Sequence, residues 1–424
     1  MNLLDKLKGI TIEECVVFAL GVFSTFQLLE LFGVTIFSLI LLAYAVYICL
    51  IKRRLSNGIL PVWIYMIIIC ISECGLIVSG KHLNWVSASV KNTVLWLCVF
   101  IVYMHLVNKS DKYIKLYFSG VFLSCAFQVI WCGCQYICNK FINLNLNELI
   151  FERILHLQGS FYQIKNGILV LTGLTSNAGM MVPVLIFGMA LSKKMWMKVI
   201  FALLAVLIGS TTPIVTVACF MGLYILGICI DRILRKKRFS LIVARCIFVI
   251  VIIAVLGSVV VLLSNADIIT RLSQTIEQFE IRISSIFTGN FTDGSTATHA
   301  RYYLEIPYIY SKISLFYILF GYGISCAGLP FVELFNQYPD AVWVPESDFA
   351  TVLFNNGIFG CVVFYGILIG ILVRGKKVDY MYFVLMCTIL ISGLFYGIQT
   401  HWVLLSELLI LVCVQRNMKV NDMC

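Results

Sequence analysis

The chain has 424 residues, of which 61% are hydrophobic and 12% are charged, and its formal net charge at pH 7 is +10. This composition excludes a soluble globular protein, because apolar runs of about 18–23 residues recur along the chain and match the thickness of a bilayer core. Unbroken runs also exclude a transmembrane barrel, whose strands alternate apolar and polar residues, so the sequence predicts an all-α polytopic membrane protein. The positive charge arises from Lys and Arg in the connecting loops and does not indicate a nucleic-acid partner.

Hydropathy predicts about 12 transmembrane helices. In chain order they are expected at 13–31, 33–51, 59–79, 90–107, 114–137, 174–192, 196–210, 212–230, 241–263, 348–373, 379–396 and 398–415. The seventh and eighth runs are close enough to form one long broken unit. Of the 31 Lys and Arg residues, 22 lie in every second loop or at the chain ends. The positive-inside rule therefore places both termini in the cytoplasm.

These spans divide the chain into five parts. They are an N-terminal five-span half at 1–137, an outer loop at 138–173, four central spans at 174–263, a large outer loop at 264–347 and three C-terminal spans at 348–424. The large loop, between spans nine and ten, collects cations, carboxylates and aromatic rings, so we expect any catalysis to occur there. A secondary transporter typically has short loops and two similar halves, whereas this chain is asymmetric and shows no internal repeat.

The acidic, His and Cys residues offer few candidates for metal binding, cofactor binding or proton transfer. The five His are scattered and the 17 Cys lie mostly in apolar runs, so neither a metal site nor a cofactor is predicted. Glu73 is the best candidate for a proton relay within a span. A hydrogen bond between helices is the simpler interpretation of Glu73, and we favour it.

Two arginines mark the first part of the large loop. Apolar residues recur at helical spacing over 268–286 and predict an amphipathic helix. Arg271 and Arg282 fall along one edge of its apolar stripe. They either reach lipid phosphates from an interfacial helix or form a basic rim that recruits an anionic lipid-linked substrate.

Arg301, farther along the same loop, has two interpretations. It lies one helical turn before Glu305, and a surface ion pair of little energetic value would explain both residues. Alternatively, its planar guanidinium grips a pyrophosphate, because the following stretch, 316–323, is predicted to form a short helix that dips back to the membrane face. Aromatic residues enriched over 302–343, Tyr322 among them, fit either an interfacial belt or stacking on sugars.

The large loop ends in Glu346-Ser347-Asp348, which leads into span ten. Ser347 or Asp348 is a natural N-cap for this helix. In the functional interpretation, one of the two carboxylates is a general base. Asp348 and Asn355 are expected on one face of span ten, and Gly357 would allow a close helix approach.

The order of these late motifs resembles that of the bacterial O-antigen polymerase and O-antigen ligase family, which includes capsular-polysaccharide polymerases. The likeness rests on Gly321-Tyr322-Gly323 and on Arg301 some twenty residues before it. It also rests on Glu346-Ser347-Asp348, followed by a helix whose residues 353–360 end in the family's spaced glycines.

Two earlier stretches extend the resemblance to about residues 165–375. The stretch 172–179, which contains Asn177, is similar to a Gly-Leu and small-polar-Asn motif before a helix, and 209–213 is similar to the turn of the family's broken span pair. The chain departs from the family at two points. Its acidic Glu346-Ser347-Asp348 replaces the His-Asn of the ligases and resembles the polymerases, and its 209–213 turn lacks an arginine.

The resemblance implies a GT-C-like membrane glycosyltransferase in the bacterial plasma (inner) membrane. Such an enzyme polymerises undecaprenyl-pyrophosphate-linked oligosaccharide repeats into O-antigen or capsular polysaccharide at the outer leaflet, without a metal or another cofactor. Its partners would be the lipid bilayer, the lipid-linked substrate, and a chain-length regulator and a flippase of the same pathway. The alternatives are a ligase that moves polymer to a final acceptor, a flippase or transporter of lipid-linked glycan, and a structural part of an export complex.

The resemblance also assigns roles to residues. Arg301 would hold the pyrophosphate, and Asp348 or Glu346 would act as the base or position the acceptor. The other substrate-binding candidates are Arg153, Lys165, Asn177, Arg271, Arg282, Tyr322 and Asn355. Arg153, Lys165 or Arg282 would replace the arginine that is missing from the turn at 209–213.

Overall fold

The computed structural model shows an all-α membrane protein. It describes residues 11–31, 34–52, 59–80, 83–157, 163–165, 168–234, 277, 303–335 and 347–424. By length and composition, four helices in this part of the chain are able to cross a bilayer. They are Leu60–Val78, Leu83–Leu106, Asp111–Ile142 and Asp348–Val378. Several shorter apolar helices accompany them.

The helices are numbered here in chain order. They are α1 Ile12–Val22, α2 Ile36–Tyr47, α3 Leu60–Val78, α4 Leu83–Leu106, α5 Asp111–Ile142, α6 Met181–Leu191, α7 Met195–Ile208, α8 Thr211–Leu234, α9 Ile306–Lys312, α10 Leu315–Phe320, α11 Leu329–Phe335, α12 Asp348–Val378, α13 Tyr380–Phe395 and α14 His401–Gln415. Short π-helical turns lie at Ile48–Lys52 and Glu148–Ile154, and a 3-10 turn at Val420–Asp422. Two antiparallel hairpins pair β1 Glu30–Leu31 with β2 Val34–Thr35, and β3 Gln163–Lys165 with β4 Ile168–Val170.

The first helix is shorter than its hydropathy predicts. A helix was expected over 13–31, but α1 ends at Val22. The reason is a set of polar contacts with α5: the carbonyl and hydroxyl oxygens of Thr25 each accept from Gln128 Nε2 at 3.0 Å. The Thr25 hydroxyl also lies 2.6 Å from Ser124 Oγ. These contacts hold the chain in a loop that leads into the β1–β2 hairpin.

The broken unit expected over the seventh and eighth runs separates at a glycine. Gly209 has a φ of 76° and ends α7, and α8 begins at Thr211. A positive φ is favourable for glycine, so this residue stops the helix without strain. The ninth predicted span, 241–263, lies outside the described residues.

Two short helices lie at the centre of the bundle. Every residue of α6 is buried, and so is α14 from Trp402 to Val414. A helix buried on all faces must be surrounded by other helices. The rings of Phe187 in α6 and Trp402 in α14 are 5.3 Å apart, and Tyr117 of α5 donates to the Trp402 carbonyl at 3.1 Å. The N-terminus of α14 is therefore inside the protein, where its polar groups have to find partners.

The short helix α10 and the residues after it pack beside α3 and α12. The backbone N–H of Tyr322 donates to the carbonyl of Phe354 at 2.8 Å, and that of Gly323 donates to Asn355 at 2.9 Å. These carbonyls are available because α12 is broken at Gly357, where φ is 65° and ψ is −171°. The Gly-x-Gly motif thus docks by main-chain hydrogen bonds on a break in the following helix.

Glycines also set the crossing of α1 and α5. Gly21 faces Gly120, and a Cβ atom added to Gly120 would lie 2.5 Å from the carbonyl oxygen of Phe18. We expect Gly120→Ala to destabilise the protein by about 1–3 kcal/mol, because the two backbones would have to separate. Thermal unfolding in detergent measures this loss. Gly133→Ala on the same helix is the control, since its methyl would meet no atom within 4 Å. Equal unfolding temperatures for the two variants would contradict this account of the crossing.

Candidate functional site

The start of α12 is tied to the end of the large loop. The predicted N-cap role of Ser347 is confirmed, because its Oγ accepts from the backbone N–H of Ala350 at 3.5 Å. The hydroxyl of Tyr303 lies 2.6 Å from Ser347 Oγ and also donates to the carbonyl of Leu394. Burial raises the pKa of the Tyr303 phenol, so the group remains a protonated donor at neutral pH. Tyr303 therefore fixes the loop to the first turn of α12.

Asp348, the first residue of α12, is buried and binds backbone N–H groups. Its Oδ1 accepts from the N–H groups of Ile398 and Gln399, at 2.8 and 2.9 Å. A Cβ atom on Gly393 would lie 2.8 Å from Asp348 Oδ2, so this glycine makes room for the carboxylate. Asp348 thus joins the start of α12 to the non-helical segment 396–400, which connects α13 to α14.

The same 396–400 segment contacts two further polar groups. The hydroxyl of Tyr396 donates to Asn177 Oδ1 at 2.7 Å, and the backbone N–H of Met180 donates to the same oxygen at 3.1 Å. The side-chain amide of Gln399 donates to Glu407 Oε1 at 2.8 Å. Two stretches that are far apart in sequence, the one around Asn177 and the one at the start of α12, therefore meet at the link between α13 and α14.

A cavity of about 430 Å³ lies beside this meeting point. The loop after α1, the β1–β2 hairpin, the N-terminus of α14 and the residues just before α6 surround it. Ser176, next to Asn177, and Thr400, next to Gln399, both line it. The polar residues at the link between α13 and α14 are thus continuous with a space large enough for a small molecule.

Tyr322 and Asn355 support the fold in the described structure. Tyr322 is buried and stacks on Tyr317, with ring centroids 4.1 Å apart. Asn355 is also buried, and its Oδ1 accepts from the backbone N–H of Cys326 at 3.0 Å. Neither residue lines the 430 Å³ cavity. Both hold the segment after α10 against the break in α12.

The structure gives positions for two of the predicted substrate-binding cations. Arg153 is exposed, and its Nη2 lies 2.6 Å from Glu148 Oε1, so it forms a surface ion pair. Lys165 is the last residue of strand β3. The other candidates lie outside the described residues: Arg271, Arg282, Arg301 and Glu346. In the described residues, no three His, Cys, Asp or Glu side chains cluster closely enough to hold a metal ion.

Glu73 joins two helices, as favoured from the sequence. Its Oε2 accepts from Ser89 Oγ at 2.5 Å and from Thr93 Oγ1 at 3.0 Å, both on α4. A Cβ atom on Gly323 would lie 3.2 Å from the same carboxylate oxygen. The hydrogen bond between helices is confirmed, and it also places Glu73 beside the docked Gly-x-Gly motif.

The sequence reasoning missed the residues at the link between α13 and α14. Tyr396, Gln399, Thr400 and His401 fall inside the predicted spans 379–396 and 398–415, whereas α13 ends at Phe395 and α14 begins at His401. The polar residues at this junction are a usable signal. A scan against protein-family models finds none that matches this chain, and no curated protein matches it significantly.

Proposed function

We propose that the protein is a membrane glycosyltransferase that polymerises undecaprenyl-pyrophosphate-linked oligosaccharide repeats into O-antigen or capsular polysaccharide. In this proposal twelve spans, with both termini cytoplasmic, place the 396–400 segment at the outer leaflet of the bacterial plasma membrane. The observation that carries the proposal is the convergence of Asn177 and Asp348 on this segment. Each belongs to a separate motif of the family resemblance, and no local feature of the sequence requires them to meet.

The contact between Tyr303 and Ser347 supports a joint role for Arg301 and Glu346 in the reaction. Tyr303 follows Arg301 by two residues in the chain, and Ser347 directly follows Glu346. Their hydroxyl oxygens are 2.6 Å apart. We therefore propose that Arg301 and Glu346 act together at the start of α12.

The proposed reaction is a displacement at the anomeric carbon of the lipid-linked glycan. A hydroxyl of the acceptor repeat forms the new C–O bond, and the bond to the lipid pyrophosphate breaks, so the pyrophosphate leaves with the electron pair. Arg301 stabilises the charge that develops on the pyrophosphate. The proton of the acceptor hydroxyl passes to a carboxylate acting as general base.

Of the two carboxylates, we assign the base to Glu346 and a positioning role to Asp348. Asp348 is only 4% exposed, and one of its oxygens already accepts two backbone N–H groups. A carboxylate held in this way fixes main chain and is poorly placed to receive a proton from a substrate. Glu346 is the other carboxylate of the motif.

A glycan gel tests the proposal. In cells that lack this gene, wild-type protein is expected to restore a polymer ladder, and Arg301→Ala at matched membrane level is expected to leave carrier-bound single repeats. Loss of the arginine should slow transfer about 10²–10³-fold, because the leaving pyrophosphate loses a charged partner. Lys312→Ala is the control: Lys312 is an exposed cation of the same loop, 5.8 Å from the Tyr308 ring centroid, and has no role in the reaction.

The gel also separates the alternatives. A full ladder in cells without the gene, left unattached to its final acceptor, would indicate a ligase. A normal ladder with Arg301→Ala would remove this arginine from the mechanism and favour a transporter of lipid-linked glycan.

A further inference from the structure

The 430 Å³ cavity is lined mainly by uncharged polar and aromatic side chains. Its polar lining includes Ser24, Gln27, Glu30, Ser176, Thr400 and His401. Phe26, Phe37 and Trp402 provide aromatic surface. The volume is within the ~300–1,000 Å³ range of small-molecule sites, and the mixture of rings with a few polar groups is typical of such sites.

Four polar atoms of the lining residues are buried and lack a hydrogen-bond partner among the residues that the structure describes. They are Ser24 Oγ, Thr400 Oγ1, His401 Nε2 and Trp402 Nε1. Ser24 and Trp402 are each only 2% exposed. Buried polar groups are nearly always paired in native proteins, because an unpaired group loses its hydration without compensation. These four atoms belong to residues that line one cavity, so a polar molecule bound there would be close to groups that need hydrogen-bond partners.

One ring nitrogen of His401 contacts Ser38, and the other lacks a partner among the described residues. Thr35 Oγ1 donates to Ser38 Oγ at 2.9 Å, and Ser38 Oγ lies 3.5 Å from His401 Nδ1. A hydroxyl oxygen has two acceptor sites, so Ser38 either donates to Nδ1 or accepts from it, and Nε2 is then a donor or an acceptor, respectively. The indole Nε1 of Trp402 is a donor only. The cavity thus offers an indole N–H, an imidazole nitrogen and two hydroxyls to a polar ligand.

The lining of the cavity does not fit an anionic ligand. No Lys or Arg is among the described lining residues, whereas the carboxylate of Glu30 is. Lys91 of α4 acts electrostatically on His401 but is not part of the lining. A phosphate or pyrophosphate site would instead require cations in the lining. Gln27 Oε1, which accepts from Ser176 Oγ at 3.3 Å, adds an acceptor to the wall. A ligand with many hydroxyl groups and an apolar ring face matches this lining. Its hydroxyls both donate to and accept from the polar side chains, and its apolar face contacts the aromatic rings.

We propose that this cavity binds an uncharged sugar ring of the acceptor repeat. The proposal rests on the proposed function and deepens it, because it names the substrate group and the residues that bind it. Trp402 donates to a sugar oxygen, Thr400 and His401 form hydrogen bonds with its hydroxyls, and the aromatic side chains contact its apolar face. Since Thr400 directly follows Gln399, a partner of Asp348, the bound sugar lies next to the start of α12.

The test uses the full-length protein with ¹⁵N-labelled tryptophan, in nanodiscs so that no sugar-headed detergent competes. The indole N–H signal of Trp402 is assigned with Trp402→Phe and followed by NMR. Glucose, galactose, mannose and N-acetylglucosamine are titrated separately, with inorganic pyrophosphate as the anionic comparison. At least one sugar is expected to shift the Trp402 signal saturably, with a Kd on the order of millimolar, and pyrophosphate is expected not to shift it.

Two variants check the assigned contacts. Thr400→Val and Ser24→Ala each remove one hydroxyl from the lining and are expected to weaken the sugar affinity about tenfold. Thr388→Val is the matched control, since its hydroxyl donates to the Val384 carbonyl within α13, away from the cavity. Unchanged indole signals in the absence of sugar show that each variant is folded.

The outcomes are separable from those of the glycan gel. No shift with any of the four sugars, or a shift with pyrophosphate, would overturn the sugar site even if the ladder depends on Arg301. Saturable sugar binding that is weakened about tenfold by Thr400→Val would support the site even if the ladder proved independent of Arg301. In that case the polymerase proposal alone would fail.

Discussion

Gly357→Ala is expected to prevent the accumulation of folded protein. Gly357 has a φ of 65° and a ψ of −171°, a combination that residues with a Cβ rarely adopt. An added Cβ would also lie 2.3 Å from the carbonyl oxygen of Leu319, which is main chain and has little freedom to move. Backbone strain of about 1–3 kcal/mol and a steric cost of similar size together predict a loss of about 2–6 kcal/mol.

Alanine substitutions at three other glycines serve as comparisons for Gly357→Ala. Gly321→Ala should behave like Gly357→Ala, since its Cβ would lie 2.3 Å from the Asn355 carbonyl oxygen across the same contact. Gly366→Ala and Gly370→Ala, later in α12, meet no atom within 4 Å and should leave stability equal or slightly higher. Membrane levels and unfolding temperatures in detergent measure all four variants. If Gly357→Ala unfolds at the same temperature as Gly366→Ala, the docking of the Gly-x-Gly motif on the helix break is wrong.

Asp348→Ala is expected to destabilise the protein by about 2–6 kcal/mol. Removing the carboxylate leaves the buried N–H of Ile398 and the half-buried N–H of Gln399 without their acceptor, and each such loss costs about 1–3 kcal/mol. Asp348→Asn keeps an oxygen at that position and should lose much less. The measurement is the unfolding temperature of the two variants in the same detergent.

Asp379 provides a matched comparison for this prediction. Its two carboxylate oxygens accept from the N–H groups of Met381 and Val420 at 3.0 and 3.1 Å, but the residue is only half-buried. Asp379→Ala should therefore destabilise less than Asp348→Ala, since water can replace the lost acceptor. Equal losses would show that burial is not the cause.

The same variants separate a positioning role from a catalytic one. With Asp348 as a positioning residue, folded Asp348→Asn should still produce a polymer ladder, and Glu346→Gln should not. A folded Asp348→Asn variant without a ladder, together with a normal ladder from Glu346→Gln, would assign the general base to Asp348 instead.

Parts of the site could be anticipated from local sequence. The polar residues before an apolar helix predict Ser347 or Asp348 as the N-cap, and the structure selects Ser347. A lone carboxylate in a span needs a donor, which predicts that Glu73 bonds a neighbouring helix. Asp348 is a candidate from its place at the start of span ten, whereas Asn177 is a candidate only through the family resemblance. That the two share the 396–400 segment could not be predicted, since Asp348 binds N–H groups 50 and 51 residues away.

The membrane-embedded, all-α character of this protein follows from its residues alone, because the length and polarity of each apolar run are local properties that the bilayer selects directly. Where the helices stop and which polar groups meet depend on tertiary contacts. Thr25, just after α1, accepts a hydrogen bond from the side chain of Gln128. The break at Gly357 leaves the carbonyls of Phe354 and Asn355 able to accept from the loop before α12. Each of these contacts satisfies buried hydrogen-bonding groups through partners that are distant in the chain, and hydropathy carries no information about such pairs.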